Sequence, residues 1–254
     1  MAPIKVALLA FALALAGIVL GNLFRRFLPE THLSSDSKEV VKLSMGLVAT
    51  LAALVLGLLV ASAKSSYDAR ESEIQQVTAY VILLDNLLKE YGTPEANAAR
   101  ASLRRAIPPV VDRIWREGQF ASVQSSPFKA RPEGEVFHRE VQALQPTNEV
   151  QRGQQARIIQ VTDGLMQTRF LLFTHLGSAI PIPFLTVLLL WIVVLCAGFS
   201  LMAPANATTS AALAICALSV AGAIFLILEL DQPFSGLLMI PSEHLRNALP
   251  ALSG

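Results

Sequence analysis

Residues able to do chemistry are few in this chain, and none of them form a catalytic pattern. The four histidines, His32, His138, His175 and His244, are scattered. No His-x-x-x-His or Cys-x-x-Cys spacing offers a zinc site. No glycine loop of the Walker or dinucleotide type offers a phosphate cradle. His138 precedes Arg139-Glu140 in a polar stretch and reads as a solvated side chain. His175, beside an apolar block, is of the type that titrates near neutral pH, but an interfacial histidine needs no such role. Glu243-His244 lacks a third partner. Cys196 and Cys216 both fall in apolar blocks and give no disulfide framework. An intramembrane enzyme would need paired polar residues inside those blocks, and the nearly uncharged blocks speak against one. The chain therefore reads as non-enzymatic, without a catalytic residue, metal or cofactor.

The pattern that does suggest chemistry is a stripe. At about 100° per residue, Gly46, Thr50, Leu54, Gly57 and Ala61 share one narrow face, with Leu58 at its margin. The same face continues to Lys64, Ser65 and Asp68. Small residues let membrane helices approach closely. They also suit a pore wall, in which several copies of one helix surround an axis and Leu54 forms a hydrophobic constriction that gates by dewetting. The pattern leaves both readings open. Glu229, at the end of the last apolar block, is the one charge in these blocks and reads as interfacial. No embedded charge then supplies a proton or substrate site, which favours a passive channel over a proton-coupled transporter.

These residues must be positioned by helices in a membrane. The chain has 254 residues, 53% hydrophobic and only 15% charged, against about 25% charged in a soluble domain. The apolar residues gather at 6–24, 43–63, 181–202 and 211–230. Each block is about the 20 residues that an apolar core of about 30 Å requires. The first resembles a signal peptide at Ala14-Leu15-Ala16, but its apolar run continues to Phe24 and meets Arg25-Arg26, so it reads as a retained helix. A net charge of +1 gives no electrostatic case for nucleic acid. Residues 64–180 hold fourteen Lys and Arg, while the loop between the last two blocks holds none. That asymmetry puts both termini and the middle segment in the cytoplasm, although four cations in the first loop pull the other way.

The middle segment reads as helical. Ile74, Val77, Val81, Leu84 and Leu88 recur at helical spacing, and no breaker separates Leu43 from Tyr91. Gly92-Thr93-Pro94 is a stop and restart, with Thr93 as N-cap. Pro108-Pro109 predicts a break or kink before 110–117. Residues 118–134 read as loop, 135–144 as a helix, and Thr147 as the cap of a long helix ending near Gly177 or Pro181. The expected organisation is a first membrane pair at 1–63, a cytoplasmic helical region at 64–180, a second pair at 181–230 and a cytoplasmic tail at 231–254.

Two segments carry a family resemblance. Val55-Leu56-Gly57-Leu58-Leu59-Val60, followed by Ala69-Arg70-Glu71, resembles the second membrane helix of bestrophins. Glu229-Leu230-Asp231-Gln232-Pro233-Phe234-Ser235-Gly236 resembles a motif of a bacterial bestrophin-like family of unknown function. Bestrophins carry an Asn-Pro-Phe-Gly-type sequence there. The resemblance implies an all-α, homopentameric ion channel of a bacterial inner membrane, lined by its second helix. Its partners would be the bilayer, copies of itself and small ions. Carried over by position, Thr50, Leu54 and Leu58 match the neck, and Asp231, Pro233, Phe234 and Gly236 match the motif. Bestrophin necks use bulky, often aromatic residues, which are missing here. The acidic run of the eukaryotic calcium site is replaced by Ser235-Gly236-Leu237-Leu238, so no calcium activation of that type is expected. The rival reading is a membrane-anchored scaffold without transport, for which the Ile74/Val81/Leu84 face must stay exposed.

Overall fold

The computed structural model describes residues 3–27, 35–117, 132–174, 180, 182–203, 206–243, 245–246 and 248. Among these, all regular structure is helical: α1 (Pro3–Phe27), α2 (Ser35–Tyr91), α3 (Pro94–Glu117), α4 (Pro132–Gln142), α5 (Glu149–Thr174), α6 (Ile182–Met202) and α7 (Ala207–Leu230). Helices α1, α6 and α7 and the first part of α2 are long and apolar enough to cross a membrane. The chain is an all-α membrane protein.

Two compact units form. One comprises Met1–Ser66 and Ala179–Asp231, the other Tyr67–Ser178 and Gln232–Gly254. The first brings the two membrane pairs together, and the second joins the middle segment to the tail.

In the membrane unit α1 packs against α6 and α7. Apolar burial drives little between helices already in lipid, so close backbone approach must do the work. Helix α1 supplies it with Ala7, Ala10, Ala14, Gly17 and Gly21, all buried at three- and four-residue intervals. A Cβ built on Gly17 would stand 2.8 Å from the Val193 carbonyl oxygen. The Ser200 hydroxyl donates to the Ile18 carbonyl at 2.8 Å, a bond between helices. Arg25 donates to the carbonyl of Ala203, just past the end of α6.

The second unit is built like a soluble core. Val77, Val81, Leu84 and Leu88 of α2 pack with Ala96, Ala99, Leu103, Ile107 and Val111 of α3, Phe137 and Val141 of α4, and Ile158 and Val161 of α5. Leu84, Leu88 and Ile158 are fully buried, each worth about 1.5–3 kcal/mol where water is the alternative.

Helix boundaries follow local chemistry, with three departures from the expectations above. Gly92 takes φ 73°, and the Ala96 amide donates to Thr93 Oγ1 at 3.3 Å, so the stop and restart is as expected. Helix α3, however, continues without a break past Pro108 and Pro109. Both prolines face outward, while Leu103, Ile107 and Val111 are buried on either side of them. Core packing at the flanks outweighs the lost backbone bonds. Helix α4 begins at Pro132, inside the stretch expected to be loop; 118–131 lie outside the described residues. Helix α5 is capped by Asn148, whose Oδ1 accepts from the Gln151 amide at 2.8 Å. Thr147 instead donates its amide to Gln151 Oε1 at 2.8 Å. The expected end of α5 near Gly177 or Pro181 also lies outside the described residues.

Candidate functional site: the exposed face of the second helix

Helix α2 presents two unlike faces within the membrane unit. Met45, Ala52, Leu59 and Ala63 are buried, the last three in one core with Ala10, Ala14, Ile18, Leu188 and Ile192. Met45 meets α6, since a Cβ built on Gly198 would lie 2.8 Å from its Sδ. Gly46, Thr50, Leu54, Gly57, Leu58 and Ala61 are all exposed. Taking about 100° per residue, this stripe lies roughly 150° around the helix from the buried one. Leu54 and Leu58 are 67% and 62% exposed.

Among the described residues, nothing packs against the two glycines of the stripe. A Cβ added at Gly46 or Gly57 meets nothing within 4 Å, in contrast to Gly17. The polar group on this face is satisfied locally: the Thr50 hydroxyl donates to the Gly46 carbonyl at 2.9 Å. A hydroxyl bonded back to its own helix can sit against lipid or in a narrow passage at low cost. Lys64 and Asp68 follow along the same helix and are exposed too.

The motif after α7 is a helix end and a buried anchor. The Asp231 amide donates to the Ile227 carbonyl at 3.1 Å and closes the helix. Pro233 and Phe234 are buried. Phe234 meets the Trp115 ring edge-on, with centroids 5.6 Å apart. Gly236 takes φ 98°, a conformation that other residues rarely adopt. Glu229, expected to sit exposed at the interface, is instead buried within the chain, at 2% exposure. In the same last turn of α7, Ile227 is fully buried and Leu230 half-buried.

Sequence reasoning passed over an ion cluster in the second unit. Asp85, 1% exposed, accepts from Arg100 Nε and Nη2 at 2.8 and 2.7 Å. It also accepts from Arg104 Nε and Nη2 at 3.0 and 3.3 Å. Burial pushes the Asp85 carboxyl up, but the hydrogen bonds and charges of the two guanidinium groups outweigh it and hold it below the ordinary carboxylate range. The hydrogen bonds to Asp85 in turn raise Arg100. The spacing of Arg100 and Arg104, one turn apart, was the available signal. His138 was read as solvated; it is half-buried, with Nε2 2.8 Å from Gln142 Nε2. His32, His175 and His244 lie outside the described residues. Cys196 is buried and Cys216 exposed, both as free thiols. Among the described residues, no group of His, Cys, Asp and Glu could hold a metal ion.

Comparison with known proteins bears on the whole chain. Residues 10–245 match the bestrophin-like domain family. The crystal structure of a bacterial bestrophin homolog from Klebsiella pneumoniae, an Ile-to-Thr variant, superposes with TM-score 0.64. That alignment covers 97% of this chain and 96% of the other at 14% identity. A Leu-to-Thr variant of the same homolog matches at TM-score 0.46 and 13% identity, with both chains fully covered. No curated protein matches the sequence. At such identities the likeness is one of fold.

Proposed function

Because the chain belongs to the bestrophin-like family, we propose that it is an oligomeric channel passing small ions across a bacterial inner membrane, with α2 lining the pore. The observation that supports this most is the free face of α2. Glycine is costly in a helix interior. A Cβ at Gly46 or Gly57 would meet none of the described residues within 4 Å, so close approach by another copy gives these glycines a use. Several copies converging on an axis supply one: Gly46, Thr50, Gly57 and Ala61 allow close approach, while Leu54 and Leu58 narrow the lumen. The resemblance to bestrophins suggests five copies. Lys64 and Asp68 continue the lumen on the cytoplasmic side, and both termini lie in the cytoplasm. Phe234 and Pro233 act as structural anchors rather than ion contacts, and no catalytic step is involved.

The scaffold reading needed an exposed amphipathic face in the middle segment. Ile74, Val81 and Leu84 are 0%, 3% and 0% exposed, so that surface is already covered.

Ion flux through liposomes containing the purified protein tests the proposal. Leu54→Ser is expected to raise flux several-fold by wetting the constriction. Absence of conductance, together with a monomer in detergent, would sink it.

A further inference from the structure

Residues 232–242, which follow α7 and its C-cap Asp231, contain no charge at all. An ordinary water-facing surface is charged and free of apolar patches. Here the apolar side chains divide sharply. Phe234 and Ile240 are 3% and 1% exposed, whereas Leu237, Leu238 and Met239 between them are 82%, 41% and 54% exposed.

The division is enforced by the fold of the loop. The Ser235 amide donates to the Gln232 carbonyl at 3.1 Å, and the Ile240 amide donates to the Pro233 carbonyl at 2.7 Å. These bonds close 233–240 into a loop with a narrow base. Trp115 locks that base: its Nε1 donates to the Ile240 carbonyl at 2.9 Å, and its ring meets Phe234. Gly236, at φ 98°, takes a left-handed conformation that lets the chain turn there. The tip at 236–239 is thus an apolar finger on a pinned base, not a frayed tail.

We infer that this finger is an interfacial anchor, which inserts Leu237, Leu238 and Met239 among the lipid headgroups and upper acyl chains. Chain length keeps it near the bilayer. Leu237 follows the last residue of α7 by seven positions, so it cannot lie more than about 25 Å from it even fully extended, and the turn at 232–235 shortens the path. Short apolar side chains entering the headgroup and acyl boundary are what such a zone accepts. The inference rests on α7 crossing the bilayer and not on conduction, so a silent channel would leave it standing.

The test uses the full chain in phosphatidylcholine–phosphatidylglycerol vesicles. In a Cys196→Ala, Cys216→Ser background, an environment-sensitive fluorophore is placed at Leu237→Cys and, separately, at Met239→Cys. Val150→Cys, a 71% exposed position at the start of α5, serves as the aqueous reference. The expected result at both tip positions is blue-shifted emission, several-fold stronger quenching by a spin label high on the lipid acyl chain, and shielding from iodide. Iodide quenching equal to that at Val150 overturns the inference. Shielding from both quenchers overturns it as well, because it seats the tip on another protein surface such as a second copy.

Discussion

At Asp85, four guanidinium N–H groups converge on one buried carboxylate. Removing it strands Arg100 and Arg104, whose side chains are 17% and 30% exposed. Asp85→Asn is expected to destabilise the second unit by about 3 kcal/mol, measured by denaturant unfolding in detergent. The pH dependence has a definite sign. The folded carboxyl is held below its ordinary value of 3.8, so its stabilisation is fully present above that value. It is lost as pH falls through the lower folded pKa. Wild type should therefore lose stability in that acid window more steeply than Asp85→Asn. Gly21 is the membrane counterpart. A side chain there would run into the Ala197 carbonyl and Ser200 Cβ, and Gly21→Val should cost about 1–3 kcal/mol by overpacking. Neither residue was legible in the sequence, because the contact that matters comes from another helix.

Helices were more legible than the contacts between them. The four apolar blocks and the Gly92-Thr93-Pro94 restart are local signals, and local signals suffice for helix existence. Continuity of α2 followed from the lack of any breaker, and the 57-residue helix is about 85 Å long. The expectation of a break at Pro108-Pro109 fails because the proline rule weighs only the backbone. It cannot see that Ile107 and Val111 are held by a core formed from four helices. Since both prolines face outward, they fill no core space. Pro109→Ala is then expected to stabilise the second unit by about 1–3 kcal/mol, seen as a higher midpoint in the same unfolding experiment. Glu229 misled for a similar reason: position along the chain gave its depth, but not which way α7 turned.

At the scale of the whole molecule, the unanswered surface of α2 makes assembly the decisive measurement. The mass of the protein in detergent, by light scattering with the detergent contribution removed, is expected to correspond to several copies. Gly57→Leu should disrupt that assembly without destabilising the isolated chain, and should even add up to about 1 kcal/mol of helix stability, because no described residue lies within 4 Å to oppose it there. Gly17→Leu should do the reverse and lower stability first.

The contrast between those glycines also bears on how such a chain diverges. Gly17 and Gly21 are constrained by the chain's own architecture, and drift there is punished in every copy separately. A side chain at Gly46 or Gly57 would meet none of the described residues within 4 Å, so the described packing of the single chain does not require glycine there. On the proposed assembly, the constraint on them would come from a second copy of α2. Among descendants of this sequence, the rate at which the two pairs change should therefore part company wherever the surroundings of α2 are altered and its fold is not.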